Sequence, residues 1–388
     1  MQCDTLCYII YKMNSKKIYA GFAVTVLILS LSGCSLKYQR ELVSEANIPQ
    51  IVFENTSIKR YADNKKNAQL ESELFEQYKK SNTSFARNVS FVLFDSEQRQ
   101  TASGKTTLIS SDMDSEIFQL FDGLEFFDNS QNIRITGDTL KWNGKTEQLV
   151  SAKGKSITIK KDDLTVTGTD FSASGVSNTF LFSGKVSGQQ ILVSQTDGSS
   201  ETITFSGDSM QGRVSNSKDG KKNSTILSGN AFVKTSTMEI RADSIELYGQ
   251  DFKRIKARGN IKGVNSESEL EFSAQELDYD QDTKIVVLSG GVELKDVKNA
   301  VTAKAQIIEY DQNTDVAVMQ IDVELHQKQN VCTGAYSVYR KKEQTLELSG
   351  NASVKQEQDV FRAQSIKFNM ETEEIVMDGN IRGTVTAD

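Results

Sequence analysis

The chain has 388 residues, with 52 acidic against 45 basic side chains, one histidine and one proline. The net charge of −7 argues against nucleic acid as a partner, which needs a basic surface. One histidine, His326, all but excludes a histidine triad or a multi-histidine metal centre.

At the N-terminus, Lys16 and Lys17 precede an apolar run from Ile18 to Leu31. The run is short for a spanning helix, which takes about 20 residues. It ends in Leu31-Ser32-Gly33-Cys34, which resembles the bacterial lipobox. Residues 1–34 are therefore expected to be a signal peptide, with Met13 as an alternative start and Cys34 as the lipidated residue; an uncleaved anchor is the alternative. Residues 35–50 are a linker containing Pro49. With Cys3 and Cys7 lost and Cys34 modified, Cys332 stands alone, without a disulfide, as a small buried residue.

From Ile51 onward the residues read as strands. Proline is absent beyond Pro49, so no ladder donor is removed. Phe91 to Phe94 and Ile157 to Ile159 have strand composition. Leu70, Leu74, Phe75 and Tyr78 also admit a helical spacing, but the strand reading takes precedence. Ile133, Ile135, Gly137, Leu140 and Trp142 share a spacing that recurs at Leu164, Val166, Gly168, Phe171 and Ala173. Between Ser187 and Ser200 the spacing loosens and Gly, Ser and Gln accumulate. A chain this long fits two domains better than one, and the division expected here is 51–190 and 200–388.

Beyond Gly207 the pattern becomes a repeat. A small anchor residue has apolar residues two and four before it, and three and five after it. Met238, Ile240, Ala242, Ile245 and Leu247 follow it, as do Leu270, Phe272, Ala274, Leu277 and Tyr279. Val301, Ala303, Ala305, Ile308 and Tyr310 form a third copy; Phe361, Ala363, Ile366 and Phe368 form the last. A weaker copy has Ala335 as its anchor. The anchors lie 32, 31, 30 and 28 residues apart, a period that signals stacked supersecondary units. Spacing of two puts side chains on one face of a sheet; the step of three breaks parity, as a bulge or corner does. A second strand in each unit carries a glycine pair or Gly-Asn, at Gly259, Gly290, Gly350 and Gly379, with the missing copy expected at Gln320. The fold class is all-β: two tandem open β jelly-roll domains, each a bent antiparallel strand stack.

Catalytic constellations are missing, so no enzyme, cofactor or metal is expected. Gly104-Lys105-Thr106 lacks the upstream glycine of a phosphate loop. The series Asp278, Asp280, Asp282 and Asp311, Asn313, Asp315 lack the glycine and glutamate that close an EF-hand and read as turn carboxylates.

Several motifs carry a family resemblance. Ile51-Val52-Phe53-Glu54-Asn55-Thr56, Gln100 to Gly104, Gly137 to Trp142 and Leu181 to Val186 resemble the LptC family, the membrane-anchored periplasmic component of lipopolysaccharide export. Leu227 to Ala231, Arg241 to Ile245 and Ala257 to Ile261 resemble LptA, or OstA-like, repeats. The resemblance implies a periplasmic, membrane-anchored protein; the lipobox, in place of the spanning helix usual for that anchor component, makes a lipoprotein the expectation here, and the fused bridge-like domain is a second departure from the family. The inner membrane is the first reading; the inner leaflet of the outer membrane is the second. It implies lipopolysaccharide or a related glycolipid as cargo. Implied partners are inner-membrane ABC transporter permeases and other β jelly-roll bridge proteins or an outer-membrane translocon, docked by strand-edge addition. The candidate lipid-groove residues are Ile133, Ile135, Leu140, Trp142, Ile240, Ile245, Leu247, Phe272, Leu277, Ile308, Phe361, Ile366 and Phe368, which periodicity equally allows to be core. Arg254, Lys256 and Arg258, and Arg340 to Lys342, are candidate rim phosphate contacts, with solvated turns preferred. The alternatives are a repeat-built envelope lipoprotein with a scaffold or adhesion role, and a β-helical polysaccharide-active enzyme.

Overall fold

The computed structural model describes residues 48–386 apart from 79–80, 113, 130–131, 194–199, 214–223 and 249–253. The lipobox and Cys34 lie outside the described residues. Every helix-or-strand element among the described residues is a strand, including Lys65–Tyr78, where a helical spacing was also possible. The chain divides into two compact units: Met1–Leu192 with Ser209–Asn223, and Val193–Asp208 with Ser224–Asp388.

The first unit begins with six long antiparallel strands: β1 (Ile51–Ala62), β2 (Lys65–Tyr78), β3 (Thr83–Phe94), β4 (Gln100–Asp112), β5 (Ile117–Asp128) and β6 (Ile133–Asn143). Short strands follow: β7 (Gln148–Ser151), β8 (Ser156–Lys161), β9 (Leu164–Thr169), β10 (Phe171–Ser174), β11 (Thr179–Phe182) and β12 (Val186–Val193). At β6 the sheet forks. Leu140 to Asn143 pair with β7, whereas Ile133 to Gly137 pair with β8. One branch continues through β10 and β11; the other continues through β9 to β12. After β13 (Ser200–Gly207), which joins the second unit, the short β14 (Ser209–Arg213) pairs with β11. It therefore belongs to the first unit although it follows residue 200.

The second unit is a regular meander. Its strands are β15 (Ser224–Lys234), β16 (Met238–Tyr248), β17 (Arg254–Asn265), β18 (Leu270–Asp280), β19 (Ile285–Asp296), β20 (Val301–Asp311), β21 (Val316–Gln327), β22 (Asn330–Arg340), β23 (Thr345–Gln356) and β24 (Asp359–Asn369). Each pairs antiparallel with the next. The two halves of β24 then pair with β25 (Ile375–Asp378) and β26 (Arg382–Thr384).

The bend has one local cause. Between β17 and β18 the register jumps from Arg258↔Glu276 to Ile261↔Ala274, two residues opposing one. The two unpaired residues, Gly259 and Asn260, have φ of +75° and +49°, a region glycine and asparagine enter at least cost. The Asn260 amide donates to Asp243 Oδ2 at 2.9 Å on the neighbouring strand, bracing the corner. Gly229-Asn230, Gly290-Gly291, Gly350-Asn351 and Gly379-Asn380 also have positive φ. The missing copy falls at Ile321-Asp322, one residue past Gln320, with φ of +65° and +54°. The extra residue restores the inward face. Ala257 and Ile261, four positions apart on β17, are buried opposite Leu277 and Ala274, three apart on β18.

Candidate functional site

The inward faces form continuous cross-strand rows. In the second unit one row runs Leu227–Ile245–Ala257–Leu277–Leu288–Ile308–Met319–Ser337–Leu348–Ile366. It gathers four candidate groove residues, Ile245, Leu277, Ile308 and Ile366, all buried. A neighbouring row carries Leu247 at one end and Phe368 at the other, linked through Ile255, Tyr279, Val286, Tyr310, Ala317, Tyr339 and Leu346. Across the bend, Ile240, Phe272 and Phe361 share a third row with Leu294, Ala303, Leu325, Cys332 and Val354. Ile240, Leu247, Phe272 and Phe361 are half-buried; the other nine candidates are buried.

In the first unit the four candidates occupy four separate inward rows on β6. Ile135 sits between Phe126 and Ile159, and Leu140 opposite Leu120. Trp142 lies between Phe118 and Leu149, and Ile133 opposite Asp128. Sequence reading passed over the inward residues of the strands that carry the left-handed pairs: Leu227, Leu288, Met319 and Leu348. Their signal is an apolar residue four positions before another, with the left-handed pair between: Leu288 and Val292, or Leu348 and Ala352.

One margin of the second unit is polar and closed. Asp296 is buried at 3% exposure, and the side chain of Lys341 is 14% exposed, with Nζ 3.3 Å from Asp296 Oδ2. The same ammonium donates to the Ser268 carbonyl at 2.6 Å, and Asn299 Nδ2 donates to Asp296 Oδ2 at 2.8 Å. Tyr339 Oη donates to Asp296 Oδ2 at 3.5 Å and accepts from Gln344 Nε2 at 3.0 Å. These bonds join the two opposite ends of the bent strands. A second link, Lys328 to Glu373 at 3.2 Å, spans the same kind of gap. Tyr310 donates to Asp315 at 2.5 Å. Burial, with that carboxylate beside it, raises its phenol well above the usual range, and the same bond holds Asp315 below its ordinary value.

The candidate phosphate contacts are largely engaged by the chain's own acids. Arg340 pairs with Glu347 at 3.0 Å, Lys342 with Asp315 at 3.0 Å, and Lys256 with Asp278 at 3.3 Å. Arg254 lies between Asp278 and Asp280. Gly104-Lys105-Thr106 lies within β4, so it forms no phosphate loop. The Asp280 and Asp311 carboxylates accept backbone N–H bonds from Asp282 and Asn313, the turn role read from sequence. His326 bonds Glu324 two residues away. Cys332 is fully buried, and burial pushes its thiol up to about 12.

These features define a class: an all-β protein of bent antiparallel strands wrapped around continuous apolar rows. Residues 212–316 and 312–374 match the family model described as LptA/(LptD N-terminal domain) LPS transport protein. That part of the chain is thus similar to lipopolysaccharide-transport proteins. An uncharacterized protein of Treponema pallidum (strain Nichols) is 20% identical over 175 residues, which make up 45% of this chain and 88% of the relative. The crystal structure of LptH, the LptA-homologous periplasmic component of the lipopolysaccharide transport device of Pseudomonas aeruginosa, shares 11% identity, with a TM-score of 0.16. That comparison covers 48% of this chain and 95% of LptH.

Proposed function

We propose that the chain is a non-enzymatic periplasmic component of a lipopolysaccharide-transport bridge, carrying acyl chains along its inward apolar rows. Residues 51–190 act as an LptC-like portion and residues 200–388 as an LptA-like portion, tethered through a lipid on Cys34. One observation carries the reading: the inward apolar rows of β15–β24 run almost unbroken through the stretch similar to that transport family. An acyl chain resists water by about 0.8 kcal/mol per CH₂. A row of apolar side chains repeated on ten strands offers burial at every step along its length, with no covalent chemistry required.

The half-buried residues Ile240, Leu247, Phe272 and Phe361 are the groove candidates of the second unit that a passing chain reaches first; the buried Ile245, Leu277, Ile308, Ile366 and Phe368 of the same unit support them. Docking is expected at strand edges, because an edge offers free backbone donors and acceptors. β1 carries Val52 and Phe53, each 48% exposed, and the far end of the second unit carries Val376 and Ile381 at 57% and 56%.

Photo-crosslinking amino acids at positions 247, 272 and 361, in protein expressed in its own envelope, test the reading. Acyl-lipid adducts at these positions support it and identify the cargo. A lipid-free interior at all three favours a sealed envelope scaffold.

A further inference from the structure

In the first unit, three successive strands turn polar side chains inward at one row. Gln77 on β2 is opposite Ser84 on β3, which is opposite Ser111 on β4. All three are buried, at 5%, 3% and 5% exposure. Alternation makes the direction certain: Phe75 and Gln77, Ser84 and Ala86, and Ile109 and Ser111 are the buried members of their strands. The row continues on the next strands as Phe118, Trp142 and Leu149. Three adjacent polar side chains thus interrupt a row that is otherwise apolar and aromatic, from Ile51 on β1 to Leu149 on β7.

In the second unit Ser337 Oγ and Gln327 Oε1 are likewise buried without a partner, while the other inward polar groups are engaged. Asp296 is held by Asn299, Lys341 and Tyr339, and Gln327 donates to the Asn299 carbonyl at 3.3 Å. Those residues form the closed margin. Gln77 Oε1 is also shielded from solvent and accepts no hydrogen bond, but it stands in line with two further inward polar residues, Ser84 and Ser111. Ser72 Oγ, five residues earlier on the same inward face of β2, is also without a partner. Buried polar atoms almost always have partners, and leaving one unpaired is costly.

We propose that the Gln77–Ser84–Ser111 row is a subsite for the polar junction of an amide-linked acyl lipid, with the acyl chain laid along Phe118 and Trp142. The inference rests on the transport reading and adds to it the part of the lipid recognised in the first unit. At the linkage itself, the chemistry favours the amide. Gln77 Oε1 is an acceptor and needs a donor, which an amide N–H supplies and an ester or ether does not. The amide carbonyl in turn accepts from a serine hydroxyl. The aromatic continuation of the row shelters the chain.

Trp142 is the sole tryptophan of the chain and stands in this row, so its fluorescence reads occupancy directly. The full-length protein is titrated with two probes of equal chain length, each bromine-tipped to quench tryptophan: an N-acyl glucosamine and an alkyl glucoside. The amide probe is expected to quench Trp142 with roughly tenfold tighter affinity. Gln77→Leu should abolish that preference while the alkyl glucoside still binds, with a thermal melt confirming the fold. Ser84→Ala with Ser111→Ala should weaken the preference without creating a new contact. Equal affinities in the wild type, unchanged in Gln77→Leu, mean that the row holds water only, and overturn the subsite while leaving lipid transport standing. Failure of both probes to quench Trp142, with crosslinks still forming at 247, 272 and 361, also overturns the subsite. Absence of lipid at every position sinks the transport reading itself.

Discussion

Ile321 is the residue at which local preference and the repeat disagree. Four of the other copies in the second unit begin their left-handed pair with glycine followed by asparagine, and one has two glycines; here a β-branched side chain sits at φ +65°, 53% exposed. Such a residue in this region stores strain of about 1–3 kcal/mol. Its exposure returns little in packing, so Ile321→Gly is expected to stabilise the second unit by about 1 kcal/mol, after the entropic cost of glycine. A urea titration read by circular dichroism measures it; an unchanged or lower midpoint would show that Ile321 is held by packing that outweighs the strain. The sequence already hinted at this site, since the glycine period skipped it. What replaced the glycine was not legible, because no residue type advertises that it will be forced into the left-handed region.

At the scale of the element, the bent strand is the unit of construction, and glycine on its neighbour sets how closely it packs. A Cβ added at Gly263 on β17 would meet the ring of Phe272 on β18 at 2.0 Å, and one at Gly104 on β4 would meet Phe91 on β3 at 2.5 Å. In both pairs an aromatic ring lies across the glycine of the adjacent strand, filling the space that a side chain would take. Gly263→Ala is therefore expected to cost about 1–3 kcal/mol by overpacking, and Gly263→Ala with Phe272→Leu to recover part of it. Paired denaturation curves for the single and double variants check the coupling. The apolar periodicity of Phe272 and the turn-forming role of Gly259 were readable in the chain. The partnership of Gly263 with Phe272 was not, because it depends on strand register, which only the bulge at Gly259-Asn260 sets.

For the second unit as a whole, the closed margin decides how the bent strands finish. Asp296 and Lys341 are 45 positions apart and buried together. Lys341→Met should leave the carboxylate without its counter-charge, though still hydrogen-bonded by Asn299 and Tyr339, and cost about 3 kcal/mol; Lys341→Met with Asp296→Leu should regain part of it, since an apolar pair replaces a buried ion pair at little loss. Thermal melts of the three proteins distinguish this from simple loss of side-chain packing, in which the double variant would be the worst. Alkaline pH acts on the same unit. Burial raises the Tyr310 and Tyr339 phenols, and pushes the Cys332 thiol up to about 12. In the unfolded chain these groups lose their protons near pH 10 and 8.5. The stability they contribute is therefore fully present below those values and lost as pH rises towards the folded ones. The midpoint of denaturation should fall progressively above about pH 8.5, and Cys332 should resist alkylation until the unit unfolds, as followed by peptide mass spectrometry.

By itself the sequence determined the strand class, the repeat, the place of the bends and the inward face of the anchor strands. Apart from the repeat itself, each depends on neighbours within about five residues: alternation in two, a parity break of three, a glycine or asparagine able to adopt positive φ. Tertiary structure alone decided the fork at β6, the return of β14 to the first unit, and the fate of polar residues at the strand ends. Asp296, Gln77 and the Arg340–Lys342 cluster look alike in a list of hydrophilic positions. One is locked across a margin, one holds an amide oxygen inward without a donor, and the last is paired with the chain's own acids. The difference arises because a side chain's partner across a bent sheet is set by the accumulated register of every strand between them, and no local pattern encodes that sum.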